Sequence, residues 1–482
     1  MMDTRPNIVL IMTDHWRGDS LGRLGHPVAE TPHLDSLSIG GVTFTNAFTP
    51  SASCIPARRS LMTGMTPNAH GMLGYQDGEP WPYRHTLAGE LARAGYQTIN
   101  VGKTHFHPGR LHLGFEELIL PADYEEWLAR RVELMNGRVA HGVPSNSWMA
   151  RPNHLPETQQ EETWLTSQAM DRLIKHDPER PFFLNLSFNG PHPPWCPPQV
   201  YFDLFMQKDI PPPVVGDWAQ HDADGCSTPL DVNAWRGRIA PELNHRARAA
   251  YFAYLAYIDA QIGRLVAYLG RVGGLHNTML VFTSDHGEML GDHHLWRKVN
   301  ACDPSARIPL IVRPPDCWDA RANVLDDALV GLEDIMPTFL DAAGVDIPET
   351  VEGRSLLPLL KGEAGPWRTT YHHEHAPCYA PDYAYQCLTG KEWKYIWNPI
   401  TGAELLFDRQ RDPQELRNLA PDPDHAGTLD AWRESLAREL AGRPEKLSDG
   451  KTLKPGPVPV WRYPRKNVKA DGESGGRARA AG

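Results

Sequence analysis

Five short apolar runs, set apart by helical patterns and polar turns, constrain this chain more than any other feature. They are Ile8–Met12, Thr98–Val101, Phe182–Ser187, Met279–Thr283 and Leu310–Val312. Each reads as β-branched and apolar on both faces, as strands do in a parallel sheet covered on both sides. Helical patterns lie between them. Thr86–Ala94 stops at Gly95, a residue suited to closing a helix. Ala247–Leu269 sets Tyr251, Leu255, Ile258, Ile262, Leu265 and Leu269 on one stripe. Glu333–Ala343 stops at Gly344. Strands alternating with helices predict a doubly wound α/β domain over residues 1–365. Residues 120–165 and 194–245, rich in Pro, Trp, Asn and Asp, are too long for plain connections and are expected to be lids or binding loops.

The texture changes after Gly362. Gln386–Leu388, Trp393–Trp397 and Glu404–Phe407 predict short antiparallel strands, and Leu429–Leu440 a helix. Residues 366–445 are therefore expected to form a small α+β domain. Pro455, Pro457 and Pro459, followed by a Gly/Ala/Arg-rich end, predict an extended arm and flexible tail over 446–482. Such an arm suggests contacts between subunits, and a homo-oligomer is expected.

Charge and cysteine usage narrow the class of partner. With 48 Lys and Arg against 59 Asp and Glu, the net charge is −11. A surface of that sign does not draw nucleic acid or anionic membrane, so neither is expected as a partner. No apolar run approaches the ~20 residues of a membrane span. The first apolar run is too short for the core of a secretion signal. Seven widely spaced cysteines without a C-x-x-C pair argue against a disulfide framework or a structural zinc site, and a cytoplasmic location is expected. The 22 histidines are a surplus suited to metal ligation and proton transfer.

The chemistry gathers where strands end. In open α/β sheets ligands bind at the carboxyl ends of the strands. Ile8–Met12 runs into Asp14-His15, and Thr98–Val101 into Gly102-Lys103-Thr104-His105-Phe106-His107. Met279–Thr283 runs into Ser284-Asp285-His286-Gly287-Glu288, and Phe182–Ser187 is followed by Pro191-His192-Pro193. One such cluster is no more than a helix cap; four on one sheet edge are not. A fifth element, Ser53-Cys54-Ile55-Pro56-Ala57-Arg58, puts a lone cysteine before a proline suited to the first turn of a helix. Cys54 is thus expected at a helix N-terminus, where backbone N–H groups favour anions.

The Cys-x-Pro-x-Arg run with Ser60-Leu61-Met62-Thr63-Gly64 resembles the signature of the type I sulfatases, within the alkaline phosphatase superfamily, close to the group that includes phosphonate monoester hydrolases. Further blocks resemble that family in order: Asn7–Asp14, Gly95–His105, Pro181–Pro193, Thr283–Lys298, Ser305–Val312, Asp334–Gly344 and Leu405–Leu419. The resemblance implies a large doubly wound mixed sheet flanked by helices, with a small C-terminal α+β domain on a short antiparallel sheet. It implies hydrolysis of small-molecule sulfate esters by a formylglycine made from Cys54, and hence a formylglycine-generating enzyme as a partner during maturation. It also implies one divalent metal, Ca2+ or Mn2+, held by Asp14, Asp285, His286 and the modified Cys54. His15 stands where many of the family have a second Asp, and phosphonate-cleaving relatives tend to have Gln. Nitrogen ligands at His15 and His286 would favour manganese over calcium. Arg58 is expected to orient the nucleophile, and His105 to act as the base that releases sulfate. Lys103, His192 and Lys298 are expected around the sulfate oxygens, with His192 or Lys298 as proton donor. His373 and His375 are expected to line the pocket. Two other readings compete: a phosphonate monoester hydrolase or phosphodiesterase of the same group, and a non-catalytic anion-binding protein whose Cys54 stays a thiol.

Overall fold

The computed structural model describes residues 5–131, 142–219, 233, 235–363 and 365–462. Among the described residues, twelve strands form two sheets. Those of the large sheet are β1 (Asn7–Thr13), β2 (Val42–Phe48), β3 (Gln97–Gly102), β4 (Glu117–Ile119), β5 (Phe182–Ser187), β6 (Thr278–Ser284), β7 (Leu310–Arg313) and β8 (Val324–Gly331), in the order β4-β3-β5-β1-β6-β7-β2-β8. The small sheet has β9 (Thr370–His375), β10 (Tyr385–Gly390), β11 (Trp393–Trp397) and β12 (Glu404–Asp408), antiparallel throughout.

The period of two along a strand explains why β1 is apolar on both faces. Val9 and Ile11 enter one core cluster, while Ile8, Leu10 and Met12 enter another on the opposite face. The long helix Pro241–Arg271 covers the first face with the predicted stripe from Tyr251 to Leu269, all fully buried or nearly so. The helix Ile335–Ala342 covers the second with Met336, Phe339 and Leu340. β1 lies between β5 and β6, parallel to both, so the chain ends of all three strands come together.

The structure corrects several expectations about the elements. β7 runs antiparallel to β6 and β2, because strand direction leaves no mark on a segment buried on both sides. β2 and β8 carry polar residues, among them Thr43, Thr45, Asp326 and Asp327, and so escape a search for apolar runs. The stretch 120–165 is not loop alone, since it holds the helix Pro121–Ala129 and the start of Glu161–Lys175. The stretch 194–245 likewise holds the helix Gln199–Met206 and the first turn of the long helix, which begins at Pro241. The arm does not stand away from its own chain. Its Val458 and Val460 pack with Leu73 and the C-terminal helix Ala426–Glu439, and the Leu73 N–H donates to Val460 O at 3.1 Å. The tail beyond residue 462 lies outside the described residues.

Candidate active site

The carboxyl ends of β1, β3, β5 and β6 bring their polar tails to one point, and the helix Cys54–Thr63 aims its first residue at it. Ser53 is extended, Cys54 opens the helix, and Pro56 fits the first turn, where no N–H is needed. Cys54 is buried. Its Sγ lies 2.8 Å from Lys298 Nζ, 3.2 Å from His286 Nε2 and 3.6 Å from both Asp14 carboxylate oxygens. Burial and Asp14 push this thiol up, but Lys298, Lys103 and His286 outweigh them and hold it well below the usual thiol range.

Asp14, Cys54, Asp285 and His286 offer ligand atoms that all lie within 4.8 Å of one another. The donor set suits a divalent cation for two further reasons. His286 Nδ1 donates to Gly287 O at 3.0 Å, which leaves Nε2 as the ring nitrogen that faces the cluster. His15 is held at Nδ1 by Glu288 Oε2 at 2.7 Å, while its buried Nε2 has no partner and lies 3.7 Å from Asp14 Oδ1. A carboxylate behind one ring nitrogen and a bare nitrogen in front is the usual dressing of a metal-binding histidine. His15 also has a left-handed backbone (φ 72°), uncommon for a residue with a bulky side chain and tolerated where the surroundings enforce it.

The other predicted residues divide into those that converge and those that do not. Arg58 Nε donates to Asp285 Oδ2 at 2.8 Å, and its Nη1 donates to Lys103 O and Ser187 Oγ. Its hydrogen bonds are thus with the Asp285 carboxylate and the β3 and β5 ends, not with Cys54. Lys103 Nζ contacts Asp14 and donates to Asn189 Oδ1 at 3.1 Å. His192 donates from Nδ1 to Pro193 O, and its ring meets His15 edge-on at 4.5 Å. His105 lines the cavity with its ring edge-on to Tyr75, and its buried Nδ1 has no partner.

His373 and His375 correct the expectation that they line the pocket. They are fully buried on β9 and absent from the cavity wall. His373 bonds Thr389 Oγ1 and stacks on Phe48, and His375 stacks on Tyr385. A run of polar residues on a strand reads as a site in one dimension, but pairing with β10 turns these into core.

Residues missed from the sequence include Ser187, Asn189 and the orienting Glu288. Glu288 stood in the Ser284–Glu288 run, but nothing in one dimension gave it a partner. A cavity of about 690 Å³ opens over Cys54, lined also by Tyr75, Glu161, Glu162, Trp235, Arg297 and Tyr379. A second ligand-type cluster, His293, Cys302 and Glu415, lies elsewhere. There the Gly216 N–H donates to His293 Nδ1, so the neutral ring carries its proton on Nε2, and Glu415 is already paired with Lys394. That cluster does not suit a cation.

A buried cysteine at a helix start, ringed by two lysines and an Asp/Asp/His set on the ends of parallel strands, defines a hydrolase for anionic esters on an alkaline phosphatase-like fold. The chain belongs to the sulfatase family, whose model ("Sulfatase") matches residues 6–345. A second model, the C-terminal part of N-sulphoglucosamine sulphohydrolase, matches residues 291–441. An arylsulfatase of Clostridium perfringens is 38% identical, covering 96% of this chain and 100% of its own. A multifunctional alkaline phosphatase superfamily protein of Trinickia caryophylli is 31% identical, covering 90% and 96%. The phosphonate monoester hydrolase of Agrobacterium radiobacter has a similar structure, with TM-score 0.78, 27% identity, and 94% and 100% coverage. The protein is a sulfuric ester hydrolase. Among the described residues, no helix is long and apolar enough to cross a membrane.

Proposed function

We propose that this protein hydrolyses small-molecule sulfate esters through a formylglycine derived from Cys54, with one divalent metal held by Asp14, His15, Asp285, His286 and the side chain at position 54. The observation that carries the reading is the position of Cys54 Sγ, in reach at once of Lys298 Nζ, His286 Nε2 and Asp14. Converted to formylglycine and hydrated, position 54 supplies two hydroxyls on one carbon, one to attack sulfur and one whose deprotonation expels sulfate. The metal supplies positive charge against the ester's own and favours the ionised form of the attacking hydroxyl.

The remaining work falls to this chain's residues. Lys298 and Lys103 flank the nucleophile and offset the negative charge that an incoming hydroxyl meets. Arg58 positions Asp285 and ties it to the ends of β3 and β5. His192 commits its Nδ1 proton to Pro193 O and burial holds the ring neutral, which leaves Nε2 an acceptor, so Lys298 is the proton donor for the departing oxygen. His105 stands in the same cavity as the base for sulfate release. The protein acts on free esters in the cytoplasm, supported by the six described cysteines all being free. It is matured by a formylglycine-generating enzyme and works as a homo-oligomer.

Mass spectrometry of the Cys54 peptide after co-expression with a formylglycine-generating enzyme tests the nucleophile. The expected peptide is lighter than the cysteine form, because sulfur is exchanged for oxygen and hydrogen is lost. An unmodified peptide in active enzyme would refute the proposal. The likeness to a phosphonate monoester hydrolase favours a second reading. Kinetics on nitrophenyl sulfate, a phenylphosphonate monoester and a phosphate diester separate the two: the sulfate is expected to lead in kcat/KM, and a tenfold advantage of the diester or phosphonate would reverse the assignment.

A further inference from the structure

The cavity over Cys54 is electrically lopsided. Its floor carries Lys103 and Lys298, as an anionic head group requires. Its side wall carries Glu161 and Glu162, with Glu125 exposed at the same wall. An anionic substrate gains nothing from acids there, so their presence asks for another partner.

The two inner acids differ. Glu162 is satisfied, because it accepts from the Tyr254 hydroxyl at 2.8 Å and abuts Gly190, ahead of the turn that carries His192. It braces the wall. Glu161 is the first residue of the helix Glu161–Lys175, and acids in a first turn are favourable to the helix without any ligand. Yet its Oε1 is buried in the wall with no hydrogen-bond partner, a costly state for a carboxylate oxygen. Burial, Glu162 and Glu125 together push its carboxyl up to about 8, against the pull of Lys103. The rings of Tyr124 and Tyr254, whose hydroxyls feel the Glu161 charge, line the same cavity. Carboxylate and aromatic faces together are the surroundings that an organic cation prefers.

We propose that Glu161 is a specificity-determining residue that takes a protonated amine on the alcohol half of the substrate, so that the preferred esters are aminated sulfates, negative at one end and positive at the other. The inference rests on the sulfatase reading and narrows its substrate class. An ammonium in the cavity favours the ionised form of Glu161 and pairs with its carboxylate, while the sulfate sits toward Lys103 and Lys298.

A matched pair of esters tests it: 4-(2-aminoethyl)phenyl sulfate and 4-ethylphenyl sulfate, which differ by one ammonium and little else at the leaving oxygen. The wild-type enzyme is expected to favour the amine at least tenfold in kcat/KM, mostly through KM. Glu161→Gln is expected to bring that ratio to within about threefold of unity. Equal kcat/KM for the two esters in the wild type, or a preference that survives Glu161→Gln in a protein with wild-type circular dichroism, would overturn the proposal. The wild-type comparison stands even if the variant fails to fold. Should neither sulfate turn over while a phenylphosphonate monoester does, the sulfatase reading falls separately. The same two leaving groups on phenylphosphonate then decide the role of Glu161 by the same ratio.

Discussion

At the scale of single residues, the site is a set of side chains that hold one another in place. His15 shows this best. Its Nδ1 is committed to Glu288, so the ring cannot turn and its bare Nε2 points toward Asp14. If His15 ligates the metal, Glu288 is its orienting partner, and loss of either weakens binding by about 10- to 100-fold. Titration of the metal-free protein with Mn2+ is expected to show that loss for both His15→Ala and Glu288→Gln. Wild-type affinity in His15→Ala would remove His15 from the ligand set. The residue scale also marks where reading a sequence fails. Asp14, Cys54, Asp285, His286 and Lys298 were legible because each follows a strand or opens a helix in a recognisable run. Glu288, Asn189 and Glu161 were not, because their importance lies in contacts 86 to 273 positions away or in an empty acceptor, and neither leaves a local pattern.

At the scale of elements, a buried ion pair ties the small sheet to the segment that follows the C-terminal helix. Glu374 of β9 lies between Gln386 and the Arg443 guanidinium, with Arg443 Nη1 3.1 Å from Oε1. Burial alone would raise the Glu374 carboxyl, but Arg443 outweighs it and holds the group at about 2. Its ordinary value is near 4.3. The pair therefore stabilises the fold fully above about pH 5, and the contribution is lost as pH falls from there toward 2. Two units correspond to roughly 3 kcal/mol at most. Urea midpoints between pH 6 and 3 are expected to fall more steeply for wild type than for Glu374→Gln. Parallel profiles would show that the pair contributes nothing to acid sensitivity. β9 itself was legible only as a histidine-rich tract. Its alternation of His372, His373, Glu374 and His375 offers no apolar face, and only the pairing with β10 makes it a strand.

At the scale of the whole molecule, the arm closes the structure behind the nucleophile helix. Trp461 lies over the Arg59 guanidinium, next to Arg58, and Val458 is buried with Leu73 and Leu447. Ending the chain after Lys454 removes these contacts but no residue of the cavity wall. Burial of Val458 alone is worth roughly 2 kcal/mol, so the truncated protein is expected to melt several degrees lower and to keep measurable turnover. An unchanged melting temperature would mean that the arm's docking is energetically idle. The sequence by itself determined the class of fold, the strands at its centre and the cluster at their carboxyl ends. Strand-length runs apolar on both faces can be buried only in a covered sheet, and polar tails after such strands must meet at one edge. Only the tertiary structure decided that β7 runs antiparallel, that His373 and His375 belong to the core, that the arm folds onto its own chain, and that an acidic wall faces the lysines across the cavity. Each of these depends on which distant segment supplies the partner, and no local pattern of residues encodes that choice.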